Sequence, residues 1–398
     1  SLTRAQGRLW LQGNGAFALL DAAQAQTPHA GNSAAPLSFQ IPMRLDPKGL
    51  PLPDAAGPLR VKLDWTGQIA PLWSLLPMPD QDLSGLAALN VSAGGSLNAP
   101  TFNGGVYIAG GRYEDRDLGI VLTDIALEAE AEKNGQVHVV LALADGKGGT
   151  AGLEGRLSPA AAAPLNLRGQ LKHLAPLHRD DLDLTITGLL HVQGDLLSPA
   201  ITSRLLVERG EVNLVSSLGQ GAATTLEISD DREKSAAVRA SPTCDIQVEI
   251  PRYFFVRGRG LDSEWQGDLQ VSGTLAEPEI KGKLKPVRGT FDLLSRTFTF
   301  DGGGIEFAGG TKIDPGLNLK LAYDAQNLTA IIRARGTVSK PEIKLESTPP
   351  LPQDEVLAQV LFAKSTSDLS RFEALQLANG LRTLMGKGEG LDVLTTMR

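Results

Sequence analysis

Cysteine, aromatic residues and long apolar runs are all scarce in this chain, and each scarcity excludes something. A single cysteine, Cys244, among 398 residues leaves no intrachain disulfide framework. Such usage fits the cytosol, and equally a bacterial envelope protein that avoids oxidative pairing. Aromatics make up 5% of the sequence, which suits a long sheet or solenoid better than an aromatic-filled core. No apolar run approaches the roughly eighteen residues of a membrane-spanning helix. The five histidines, at 29, 138, 173, 178 and 191, have no metal-ligand spacing. Asp180, Asp181 and Asp183 lack the glycine and distal glutamate of a calcium loop and read as solvent-facing strand residues. Gly302-Gly303-Gly304 lacks the lysine of a phosphate loop and reads as a turn. A formal charge of −7, with lysine and arginine dispersed, excludes a nucleic-acid surface. No catalytic, metal or cofactor site is therefore expected.

Glycine is plentiful, at 44 residues, and it recurs in a frame. Gly95, Pro100 and Gly111 have the same spacing as Gly194, Pro199 and Gly210, and as Gly273, Pro278 and Gly289. A fourth, partial copy starts at Gly336 and Pro341. Two locked spacings repeated three times mark an internal repeat. We read each copy as a strand, a tight turn at the proline, a second strand and a glycine kink.

Period-two alternation dominates from Phe39 to Leu345. Phe39, Ile41, Met43 and Leu45 give one strand a greasy side. Val137, Val139 and Leu141 follow the turn Asn134-Gly135. Leu184 and Ile186, then Ile246, Val248 and Ile250, alternate with polar neighbours. So do Leu269 and Val271, Phe298 and Phe300, Ile305 and Phe307, and Leu317, Leu319 and Leu321. Sheets of this kind are wet on one face and need an apolar partner on the other. No helix long enough to provide it precedes residue 353, so the cover is a second sheet, as in a sandwich, the sheet itself, as in a barrel, or whatever fills an elongated groove that these side chains line.

The alternation predicts an all-β fold in three stretches. Residues 1–84 hold N-terminal strands with a mobile loop at 21–36, and Pro71 to Pro79 includes a helical turn. Residues 85–347 form the repetitive groove. Residues 348–398 are a proline elbow, from Pro349, Pro350 and Pro352, followed by two helices. The first carries Val356, Leu357, Val360 and Leu361 on one face. The second starts at Ser370, with Glu373 completing a capping box, and carries Leu377, Leu381 and Leu384. These stripes either gate the end of the groove or cap its last strand.

The run VSGTLAEPEIKGKLKPVRGTFDLLSRTFTFDGGGIEFAGG, then PGLNLKLAYDA, GTVSKPEIKLES and PPLPQDEVLAQVLFAKSTSDLSRFEALQLANGL, resembles the TamB family. That family is the inner-membrane-anchored component of the bacterial translocation and assembly module. The likeness spans about 265–385 and continues, by repeat pattern, over 85–264. It implies an elongated sheet curled into a taco-like groove, or open β-solenoid, in the periplasm. It also implies phospholipid acyl chains as cargo, a role in outer-membrane protein assembly, and a TamA-like outer-membrane barrel as partner. The family's N-terminal anchor is absent from the sequence, and the family usually continues beyond the position of Arg398. A β-solenoid surface adhesin or passenger domain is the alternative reading of the strands alone.

Overall fold

The structure, a computed structural model, describes residues 2–5, 8–17, 35–45, 50–74, 80–98, 100–158, 164–195, 198–214, 242–274, 277–293, 296–310 and 312–384. Strands follow one another along the chain: β1 (Leu2–Ala5), β2 (Arg8–Phe17), β3 (Ala35–Leu45), β4 (Pro51–Pro53), β5 (Arg60–Gln68), β6 (Gln81–Gly95) and β7 (Pro100–Asp115). Next come β8 (Ile120–Ala131), β9 (Val137–Ala144), β10 (Thr150–Leu157), β11 (Leu165–Leu174), β12 (Leu182–Gly194) and β13 (Pro199–Asn213). The series ends with β14 (Thr243–Gly258), β15 (Leu261–Thr274), β16 (Pro278–Leu293), β17 (Arg296–Ala308), β18 (Gly316–Asp324), β19 (Thr329–Thr337) and β20 (Pro341–Thr348). They belong to one sheet that is not closed into a barrel. Two short helices, Gln353–Phe362 and Arg371–Leu384, follow it. This is the all-β class with a C-terminal helix pair that the alternation predicts.

The chain divides into two compact units. One comprises Ser1–His178, Ile186–Ser203 and Ser235–Thr243; the other comprises Arg179–Thr185, Arg204–Lys234 and Cys244–Arg398. In the first, each strand from β5 pairs antiparallel with the next. In the second, the same meander runs from β15 to β20.

The repeat is a hairpin. Gly95 pairs with Pro100, Gly273 with Pro278 and Gly336 with Pro341. The turn therefore lies between the glycine and the proline. The proline is the first residue of the returning strand, where its missing N–H costs no ladder bond. This corrects the reading that put the turn at the proline itself. Gly95, Gly194, Gly273 and Gly336 all have positive φ, from 76° to 110°, a conformation that fits glycine.

Three further expectations are amended. Gly302–Gly304 is no turn but lies inside β17, at a register shift between Phe300 and Gly303 where the ladder bulges. In β3 the greasy side is incomplete: Leu45 is 61% exposed, while Pro42, on the opposite side, is buried near Gly57. Asp54 donates its N–H to the Pro42 carbonyl, so the chain after β4 folds over that side. Ala35 and Pro36 begin β3 rather than end the loop; residues 21–34 of that expected loop lie outside the described residues. The helical turn after Pro71 is present as Ala70–Trp73, where Trp73 donates its indole N–H to the Gln81 carbonyl.

Candidate functional site

Register shows how the apolar positions meet. In the first unit Leu127, Ala129 and Ala131 of β8 face Leu141, Val139 and Val137 of β9. Those in turn face Leu153, Gly155 and Leu157 of β10. The row continues to Gly169, Leu167 and Leu165 of β11, and on to Leu190, Val192 and Gly194 of β12. Val139, Leu165 and Leu167 are buried at its centre. A Cβ on Gly155 would stand 2.0 Å from the Asn166 carbonyl oxygen, so strand β11 approaches closer there than any side chain allows. After a shift in register Ile186 faces Leu174.

The second unit builds a like face. On β14, Cys244, Ile246, Val248 and Ile250 are buried or half-buried, while Thr243, Asp245, Gln247 and Glu249 are exposed. Leu184 lies near Gly210, whose Cβ would meet its side chain. Leu269 and Val271 of β15 face Gly282 and Ile280 of β16, and Gly282 faces Phe307 of β17. Leu284 faces Ile305, which faces Leu317, while Phe300 faces Leu321. Leu321 faces Ile332, and Ile332 faces Leu345.

The helices divide this face. Val356, Leu357 and Val360 are 0–3% exposed and pack with Phe298, Leu321, Ile332 and Leu345 in one core. Leu361, Phe300 and Leu319 flank it. Arg296 donates from Nε to the Val360 carbonyl at 2.7 Å and from Nη2 to the Leu361 carbonyl at 3.0 Å. The second helix reaches the core through Leu377, while Ala374 and Ala378 are exposed. The side chains of Leu381 and Leu384 lie outside the described residues. Ser370 and Glu373 bond reciprocally, the capping box that the sequence predicts. Ile305, Phe307, Leu317, Leu269 and Val271 are half-buried, and none belongs to the core beneath the helix.

The opposite face is charged and internally paired. Lys283 meets Glu306 at 3.0 Å and Arg333 meets Glu346 at 2.7 Å. In the first unit Arg156 meets Glu132 at 2.9 Å. A shallow depression of about 360 Å³ lies along Arg204, Gln247, Asp268, Gln270 and Lys281. Val248, Glu249, Leu269 and Gly282 complete its lining.

Sequence reasoning missed the polar groups that hold these strands. Burial pushes the Asp145 carboxyl up, but N–H donors from Ala175, Lys147 and Gly149 outweigh it and hold the group below its ordinary range. The signal was the turn DGKGG, where an aspartate can bond the backbone two residues on. Glu264 is likewise held low, by Arg288 at 2.6 Å and the Tyr253 N–H. Nothing local in the sequence marks Arg296. Burial raises the Cys244 thiol, so it is a packed side chain rather than a nucleophile.

Among the described residues no cluster of histidine, cysteine and carboxylates could hold a metal ion, and no helix is long and apolar enough to cross a membrane. Comparison with curated protein sequences gave no match. The model of the TamB C-terminal domain, however, matches residues 141–397, well beyond the stretch whose motifs carry the resemblance. With an open antiparallel sheet, the glycine–proline hairpins and the terminal helix pair in place, the chain belongs to the TamB family of bacterial cell-envelope proteins.

Proposed function

We propose that the apolar sheet face takes up phospholipid acyl chains, conducting lipid between inner and outer membrane and supporting outer-membrane protein assembly. TamB-family proteins are associated with the translocation and assembly module and are not known as enzymes. In this reading the parent protein is anchored at the inner membrane, works in the periplasm and meets a TamA-like barrel. The observation that carries it is the set Leu269, Val271, Ile305, Phe307 and Leu317: aliphatic and aromatic, aligned by register, and outside the helix-covered core. Burying such surface is worth about 25 cal/mol per Å², which an acyl chain supplies without directional bonds.

The reading is tested by placing photo-crosslinking residues at Val248, Leu269 and Phe307, and at Gln247, Lys283 and Glu306 as controls. Phospholipid is expected on the first three alone. Equal capture on both faces overturns the proposal.

A further inference from the structure

The helix Gln353–Phe362 stands where the apolar face would otherwise continue. Along β18 the side chains Leu317, Leu319 and Leu321 share one side. Leu317 lies outside the core beneath the helix, Leu319 flanks it and Leu321 lies within it. No change of residue type marks that boundary; the helix alone makes it. We propose that the sheet surface beneath the helix, lined by Phe298, Leu321, Ile332 and Leu345, is a further acyl-chain site that the helix occupies as a displaceable plug, with Arg296 as its latch. This rests on the acyl-chain reading above and names a site and a control that it does not contain.

Three features support displacement. What the helix presents to the sheet is aliphatic: Val356, Leu357 and Val360 occupy the surface by contact alone, as an acyl chain would. Its polar tie to the strands, among the described residues, is Arg296, which binds the last-turn carbonyls where a cation also complements the helix dipole. Residues 349–354 are all exposed, and Ser347 of β20 holds the bend that opens the segment, donating to the Pro349 carbonyl and accepting from the Leu351 N–H. The helix thus hangs from an elbow on one side and from one side chain on the other. Displaced, it presents its apolar stripe to the same lipid phase that supplies the chain.

The test uses the full chain with phosphatidylethanolamine–phosphatidylglycerol vesicles carrying a phospholipid with a diazirine in its acyl chain, and labelled residues are mapped by mass spectrometry. Label is expected at Leu269, Ile305 and Leu317 and, more weakly, at Phe298, Leu321 and Ile332. Arg296→Ala removes two charge-assisted bonds and raises label at the covered positions about tenfold, leaving the uncovered ones unchanged. Arg296→Lys, which keeps a donating cation, raises it less. If only the uncovered positions are labelled, in all three chains, the helix is a fixed cap and the proposal falls while the lipid reading stands. If no position is labelled, both fall. Should Arg296→Ala misfold, hydrogen exchange in the unaltered chain decides: amides of 356–362 exchange faster when vesicles are added, and unchanged protection refutes displacement.

Discussion

Truncating Phe298 and Phe307, which lie on the same strand, measures how far the helix divides the sheet face. Phe298 is 0% exposed, packs at a tilt against Tyr323 with ring centroids 5.5 Å apart and lies in the core shared with Val356 and Leu357. Phe298→Ala leaves a cavity closed by helix and sheet together, at a cost of about 4 kcal/mol. Phe307 has strand neighbours beside it but lies outside that core, so Phe307→Ala removes lateral contact alone. With about 60 Å² of burial lost at about 25 cal/mol per Å², that costs about 1.5 kcal/mol. For a unit of this size the two figures correspond to losses of about 12 °C and about 4 °C in midpoint. Hydrogen exchange with rising temperature, followed on peptides from β17 to β19, reads the second unit by itself. Equal losses for the two variants would mean that both side chains are covered alike, and the argument for an open face would fail.

Three other outcomes follow from the polar and backbone details. Asp145→Ala strands three N–H groups in the first unit and should cost about 3 kcal/mol or more in urea unfolding; a loss below about 1 kcal/mol contradicts the assigned bonds. Gly155→Ala drives a methyl into the Asn166 carbonyl, so peptides of β10 and β11 should lose exchange protection, while Gly152→Ala, whose Cβ has 3.8 Å of space, should not. Glu355 is held at about 2 by the Thr366 N–H and hydroxyl, and Glu373 at about 2 chiefly by Lys364. Their stabilisation is present above the ordinary glutamate range and is lost as pH falls through about 2. The difference in melting between the unaltered chain and Glu355→Gln should therefore close between about pH 4.5 and pH 2, and a constant difference rejects the assignment.

The alternation at Ile246–Ile250 and Leu317–Leu321 made both the strands and their apolar sides legible, because period two leaves little choice of face once a strand forms. The helix pair was legible from its stripes and capping box. Its place on Phe298 and Leu321 was not, since sequence cannot say which part of a uniform apolar face a helix will cover. The buried side of Pro42 and the bulge at Gly303 escaped for a related reason. Both depend on what a neighbouring segment does, and local pattern carries no trace of it. Asp145 binds one backbone group distant in sequence, the Ala175 N–H, besides two within its own turn, and Arg296 reaches across more than sixty positions.

The hairpin repeat and the apolar face are one feature seen twice. Pairing Gly336 with Pro341 fixes Leu345 opposite Ile332, and pairing Gly273 with Pro278 fixes Val271 opposite Ile280. A hairpin of this length returns each inward residue opposite another inward residue, whereas a one-residue change would turn a whole strand over. The intervals between repeat prolines vary, from 63 to 99 residues, but the glycine-to-proline spacing does not. Variation is thus tolerated wherever it leaves side-chain direction unaltered and is absent where it would put Glu342, Lys344 and Glu346 on the apolar side. A closed core would enforce the same parity. Here the parity also runs through Ile305, Leu317 and Phe307, outside the helix-covered core, so the hairpins preserve a continuous apolar surface as well as a packed interior.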